Sequence, residues 1–237
     1  MHDRIGQPGD IIHSSVASRA VNIRPDMRKV RRLDVYYRRY RTAMQVALGL
    51  GVALAAGAVV LWRTNHGIWS AVVALPALVV LFFAFNYWQA LSGDAYSNGL
   101  LVPGLLTSVE PLEMVVAAEV ETGSEDNPQG IVWGVRRVAL PQLTVHPEKV
   151  GQQVPCVAMF GSSEAGVYTN FEPRPLAWGT DDTVIIQAAH AAIDATEWEV
   201  LTQLAALYAT SPKNDNDIAY FDAQLQPVAM AAAAEPA

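Results

Sequence analysis

The chain has a single cysteine, Cys156, so no disulfide can close within it and no multi-cysteine metal site can form. Charge is absent from two long stretches. Residues 43–62 and 68–91 hold no Asp, Glu, Lys, Arg or His. The familiar motifs of catalysis are missing too. There is no G-x-x-x-x-G-K-S/T phosphate loop, no G-x-G-x-x-G, no G-x-S-x-G elbow and no His-x-x-x-His pair. The five histidines are scattered. A site built on His146 and distant carboxylates would have to assemble in space, and zinc sites draw on three or four ligands. Cys156 sits in the apolar run VPCVAMF, where a free cysteine behaves as a small hydrophobe. The carboxylate pairs Asp181-Asp182 and Glu197/Glu199 fall at expected helix starts, where the helix dipole explains them. No catalytic residue, metal ligand or cofactor site is therefore expected.

What is present is the apolarity itself. Each uncharged stretch is long enough to cross a hydrocarbon core of roughly 30 Å as a helix. Only a helix or a closed barrel satisfies its own backbone at that depth. Five residues, 63–67, separate the two, so they should form a transmembrane hairpin. Trp62 and Trp69 bracket its outer loop, and Tyr87 and Trp88 mark the inner end, as interfacial aromatics do. Gly49, Ala53 and Gly57 recur every fourth residue, a small stripe that lets another helix approach closely, either the second span or a foreign one. Pro76 in the second span removes one backbone bond and predicts a mild kink.

Charge is split across the hairpin. Residues 1–42 carry a net +6 and residues 93–237 a net −14. An acidic domain argues against nucleic acid as a partner, because phosphate contacts need Lys and Arg. Arg28, Lys29, Arg31, Arg32, Arg38, Arg39 and Arg41 precede the first span and suit anionic lipid headgroups. By the positive-inside rule they hold the N-terminus in the cytoplasm, and two spans return the C-terminal domain to the same side. The expected location is the inner (cytoplasmic) cell membrane. The polar arm before residue 43 is too long for a cleavable signal peptide, so both spans should be retained.

The remaining chain divides as follows. Residues 1–42 form a basic arm, with an amphipathic helix built on Met27, Val30, Leu33, Tyr37 and Tyr40. Residues 43–92 are the hairpin. Residues 93–99 read as a linker that opens an acidic domain, 93–210. Five short strands are expected, near 100–109 with Pro103-Gly104 breaking it, 112–120, 131–140, 152–160 and 173–178, with an acidic loop tip at 121–130. Pro155 points to an edge or bulge. Of Arg136 and Arg137, adjacent strand positions, one should face inward toward a carboxylate. Two helices follow, one from about 184 and one bearing Trp198, Leu201, Leu204, Ala205 and Tyr208 on a single face. Thr196 and Glu199 have capping-box spacing for the second. Residues 211–237 read as a loose tail. The fold class is a two-helix membrane hairpin plus a soluble α+β domain, a small five-stranded barrel-like sheet followed by two helices.

Three segments carry a resemblance: Asn98-Gly99 through Pro103-Gly104, then residues 150–161 (VGQQVPCVAMFG), then residues 171–180 (FEPRPLAWGT). With the hairpin, they resemble a family of two-span actinobacterial membrane proteins with a C-terminal domain of unknown function. The resemblance implies a fold and brings no catalytic residue. Proteins of this build also resemble accessory subunits of respiratory cytochrome bc–oxidase supercomplexes. The first expectation is thus a non-catalytic accessory or scaffold subunit of a larger membrane complex. The second is a membrane-anchored binding module for a peptide, lipid or small ligand. The third is an enzyme with an unrecognised site, for which Cys156 is the distinctive nucleophile.

Overall fold

The computed structural model describes residues 4–5, 21–124, 127–161 and 170–228. They divide into two units. Residues 34–94 form one, and residues 21–33 join 95–228 in the other.

The first unit is a helical hairpin. α1 (Met27–Leu33) ends just before it, and α2 (Val35–Arg63) begins after a break at Asp34. The break replaces the continuous amphipathic helix expected over 27–40. Its cause is chemical: the Asp34 carboxylate accepts from the Tyr36 and Tyr37 amides at 2.8 and 3.0 Å, capping a new helix. α3 (Gly67–Gln89) runs on through Pro76. Both long helices are long and apolar enough to cross a membrane, and only 11% and 17% of their most apolar windows is buried. The two helices contain the expected stretches almost entirely. They touch through Gly51, Ala58, Ser70, Ala77 and Ala84, all buried. The Ser70 hydroxyl donates to the Ala58 carbonyl at 2.8 Å, and Tyr40 stacks on Tyr87 at 6.2 Å between ring centres.

The second unit is built on one antiparallel sheet. A short ribbon pairs β1 (Arg4–Ile5) with β2 (Val21–Asn22). After a five-residue helix, α4 (Asp94–Asn98), come β3 (Leu100–Val109), β4 (Leu112–Ser124), β5 (Asn127–Ala139), β6 (Gln153–Gly161), β7 (Asn170–Pro175) and, much later, β8 (Ile218–Phe221). Their order across the sheet is β7-β6-β3-β4-β5-β8, with every neighbour antiparallel. The sheet therefore has six strands, not the five expected. The extra strand, β8, lies in the segment read as a loose tail. Its four residues IAYF are all buried, and the Asn214 side chain accepts the Ile218 amide at 3.0 Å to start it.

Three further expectations shift. Strands β4 and β5 continue past Glu121, pairing down to Ser124 opposite Asn127, so most of the supposed acidic loop is ladder. Pro103 and Gly104 do not interrupt β3. Pro103 faces Pro155, each one residue before its other neighbour's ladder starts, at Gly104–Val116 and Cys156–Pro175. Neither ladder needs the missing amides, which is how Pro155 sits in an interior strand and not at an edge. The edge belongs to β7, with Pro173 and Pro175.

Two helices complete the unit. α5 (Thr183–Ala192) is capped by Asp182. α6 (Ala195–Tyr208) has its capping box on Asp194 and Glu197, two residues before the expected pair. The expected face is right: Trp198, Leu201, Leu204 and Tyr208 are buried where α6 packs across β3 and β4, and Ala205 is partly buried. A fully buried leucine there contributes about 1.5–3 kcal/mol. The sheet curls. The Phe171 ring on β7 comes beside Gly134 on β5, with three strands between them in the order, and the Arg136 guanidinium donates to the Phe171 carbonyl at 2.5 Å.

Candidate functional site

The basic arm is partly a structural element of the acidic domain. Val21 donates its amide to the Gly99 carbonyl at 2.8 Å, Ile23 to Tyr96 at 3.0 Å, and Asp26 to Gly179 at 2.7 Å. Val21, Ile23, Val30 and Leu33 are buried, as is Tyr96 at 1% exposure. Residues 93–99 are thus a dock, not a linker. Gly99 has to be glycine at this approach. A Cβ there would sit 2.3 Å from both the Ala95 carbonyl oxygen and a Val157 methyl.

Lys29 is the clearest correction among the basic residues. Its side chain is 9% exposed and its ammonium pairs with the Asp181 carboxylate, so it does not face headgroups. Burial of neighbouring Val30 and Leu33 draws it inward, and the carboxylate at the start of α5 offsets the charge. Arg28, Arg31 and Arg32 on the same helix are exposed, as are Arg38, Arg39 and Arg41 on α2.

The small stripe does not pack the hairpin. A Cβ at Gly49 or Gly57 would meet nothing within 4 Å, and Ala53 is exposed. The close approach falls instead at Gly51, where a Cβ would lie 2.7 Å from the Leu81 side chain. Helix period explains the difference: Gly51 and Ala58, seven residues apart, share the inner face, and the four-residue stripe drifts off it. Trp62, Trp69 and Trp88 are exposed, and Tyr87 is held by Tyr40.

Inside the domain, Cys156 is fully buried. Its Sγ approaches the Val154 carbonyl at 3.4 Å and the Met114 sulfur at 3.8 Å, and burial raises its pKa far above the thiol range. Such a thiol stays protonated and fills space. Arg137 points away from Arg136, lying 3.6 Å from Glu113 and over the Tyr208 ring. Burial and the bond to Asp217 hold the Tyr208 hydroxyl well above its ordinary pKa, and burial lifts Tyr220 to about 12. Arg174 and Glu172 pair at 2.8 Å on β7, both largely buried. Among the described residues, no three His, Cys, Asp or Glu side chains converge as metal ligands do.

Sequence reading passed over one polar cluster. His190 stacks on Trp198 at 4.9 Å, and its Nε2 meets the Gln153 amide oxygen at 2.9 Å. His146 follows Val145, which has a φ of 70°. Its Nε2 is buried with no hydrogen-bond partner, as is the Trp198 indole nitrogen. Burial, and then the charge of His190, lower the His146 pKa. A histidine lowered in the folded state binds fewer protons there than when unfolded. Its contribution to stability is whole above about pH 6.5 and is lost as pH falls through the folded value. The unfolding free energy should therefore drop from pH 7 toward pH 5, by up to about 1.4 kcal/mol per pH unit, and the thermal midpoint with it. His146→Gln should flatten that slope, and an unchanged slope would remove His146 as its cause. Neither the period of the strands nor any motif signals this cluster, because its members come from a connector, a strand and two helices.

Together these features define a class: an α-helical hairpin, long and apolar enough to cross a bilayer, inserted into an α+β domain with a curled sheet. The family model described as "Protein of unknown function (DUF3239)" matches residues 90–208, half of the chain, and the chain belongs to that family. The hairpin, the arm and β8 lie outside the matched residues. A solved structure described as a "putative membrane protein from Corynebacterium diphtheriae" is similar over 50% of this chain and 97% of its own, with 25% identity and a TM-score of 0.41. No curated protein matches the chain.

Proposed function

We propose that the protein is a non-catalytic accessory subunit of a larger membrane complex, held in the inner cell membrane by its two-helix hairpin. One observation carries this reading. The hairpin packs through Gly51, Ala58, Ala77 and Ala84, and leaves Gly49, Ala53 and Gly57 open on another face of α2. A small stripe that does not serve its own hairpin suits a foreign helix. The near-bare apolar surface of both helices favours lipid as their surroundings, since a water-soluble protein rarely exposes apolar patches this large.

The arm supports both ends of the chain lying on one side of the membrane. Residues 21–33 and 95–228 belong to one folded unit, and an even number of crossings between them returns the chain to its starting side. The exposed arginines of α1 and α2 favour the cytoplasmic side and anionic lipid there. The respiratory cytochrome bc–oxidase supercomplex is the complex we would look for first, on the resemblance read from the sequence.

The test is purification of the tagged protein from native membranes in mild detergent, with mass spectrometry of what accompanies it. Stoichiometric membrane subunits should co-purify and be released by Ala53→Leu or Gly57→Leu. Elution alone, or co-purification indifferent to those substitutions, would overturn the reading.

A further inference from the structure

The seam between α2 and α3 opens near the loop. A groove of about 370 Å³ is walled by Ala55, Ala58, Ala74 and Ala77, with Trp62 and Arg63 at its loop end. Its walls are apolar even at Ser70, whose hydroxyl is turned to the Ala58 carbonyl. The mouth is positive. Arg63 is exposed and is the sole charged side chain between Asp34 and Asp94 other than Arg38, Arg39 and Arg41 at the far end of α2.

We propose that this groove holds an acyl chain of an anionic phospholipid, with its phosphodiester on Arg63. The proposal rests on the hairpin crossing the membrane. The dimensions favour a chain over a protein helix. A groove of about 370 Å³ takes part of one acyl chain, and a helix about 10 Å across does not fit inside it. Charge favours the same occupant. An apolar helix brings no anion to Arg63, whereas a headgroup phosphate supplies one at the depth that Trp62 and Trp69 mark.

The experiment has two stages. Membranes holding the full chain are first washed with alkaline carbonate, which strips peripheral proteins. Release of the protein would overturn the membrane reading and this proposal together. The retained protein is then purified in detergent and offered phosphatidylglycerol or phosphatidylcholine of equal chain length, with bound lipid counted by native mass spectrometry. Phosphatidylglycerol should be retained about fivefold better, the effect of one arginine near an anionic surface. Arg63→Gln, at an exposed site that leaves packing intact, should bring it down to the phosphatidylcholine level. Ala74→Phe should displace both lipids. Equal retention of the two lipids by the wild type, or no loss in Arg63→Gln, would overturn the groove proposal and leave the membrane reading standing.

Discussion

Gly99→Ala should lower the stability of the domain by about 1–3 kcal/mol or more and free the arm from it. Overpacking usually costs that much where a neighbour can move. Here one neighbour is the backbone carbonyl of Ala95, which closes α4 by accepting the Gly99 amide at 3.0 Å, and the other is a methyl of buried Val157. Neither yields easily. Any shift of Gly99 also pulls its carbonyl from the Val21 amide. The full chain in detergent should show a lower thermal midpoint, and trypsin should cut sooner at Arg28 and Lys29. Gly49→Ala, facing open space, should change neither. A Gly99→Ala protein with a normal midpoint and a protected arm would contradict the packing described at the dock.

Gly51→Leu should separate the two long helices, at a cost of similar size. On the membrane reading proposed above, helices in lipid gain nothing from excluding water and hold together by close packing and interhelical hydrogen bonds. A leucine at Gly51 would occupy the space of the Leu81 side chain, already 2.7 Å from an added Cβ. Leu81→Ala in the same molecule should restore much of the loss. Gly57→Leu provides the contrast: the hairpin should melt normally, while any partner subunit should be lost. Opposite results for the two glycines would mean that α2 presents its other face to α3. The measurements are thermal unfolding in detergent for the first and co-purification for the second.

Much of this architecture can be read from residue patterns. The two long helices are legible because an uncharged run of twenty residues makes a helix long and apolar enough to cross a bilayer. The face of α6 is legible because Trp198, Leu201, Leu204 and Tyr208 follow the helical period. What the pattern does not carry is which local signal wins when two compete. Asp34 sits inside a sound helical period, yet its carboxylate stops one helix and starts another. Prolines 103 and 155 read as breakers, and they are harmless because the register sets them opposite each other, a long-range fact. Lys29 belongs by composition to a basic cluster. Its burial depends on Asp181, which lies 152 residues away and has no local trace. β8 was hidden by brevity, since four apolar residues after KNDND resemble a tail until β5 supplies an edge to pair with. The glycines of the small stripe are visible in the sequence, but the glycine that closes the hairpin is visible only through Leu81.

The dock of residues 21–33 also bears on how the molecule is made. A ribosome delivers the arm first, then two long apolar helices, and only afterwards the partners of Val21, Ile23, Asp26 and Lys29. The arm must wait, unpaired, for about seventy residues of synthesis before Tyr96 and Gly99 emerge, and longer for Gly179 and Asp181. On the membrane reading proposed above, a chain that threads just one helix into the bilayer strands the arm and its dock on opposite sides, forfeits all of these contacts and leaves Val21, Ile23, Val30 and Leu33 unburied.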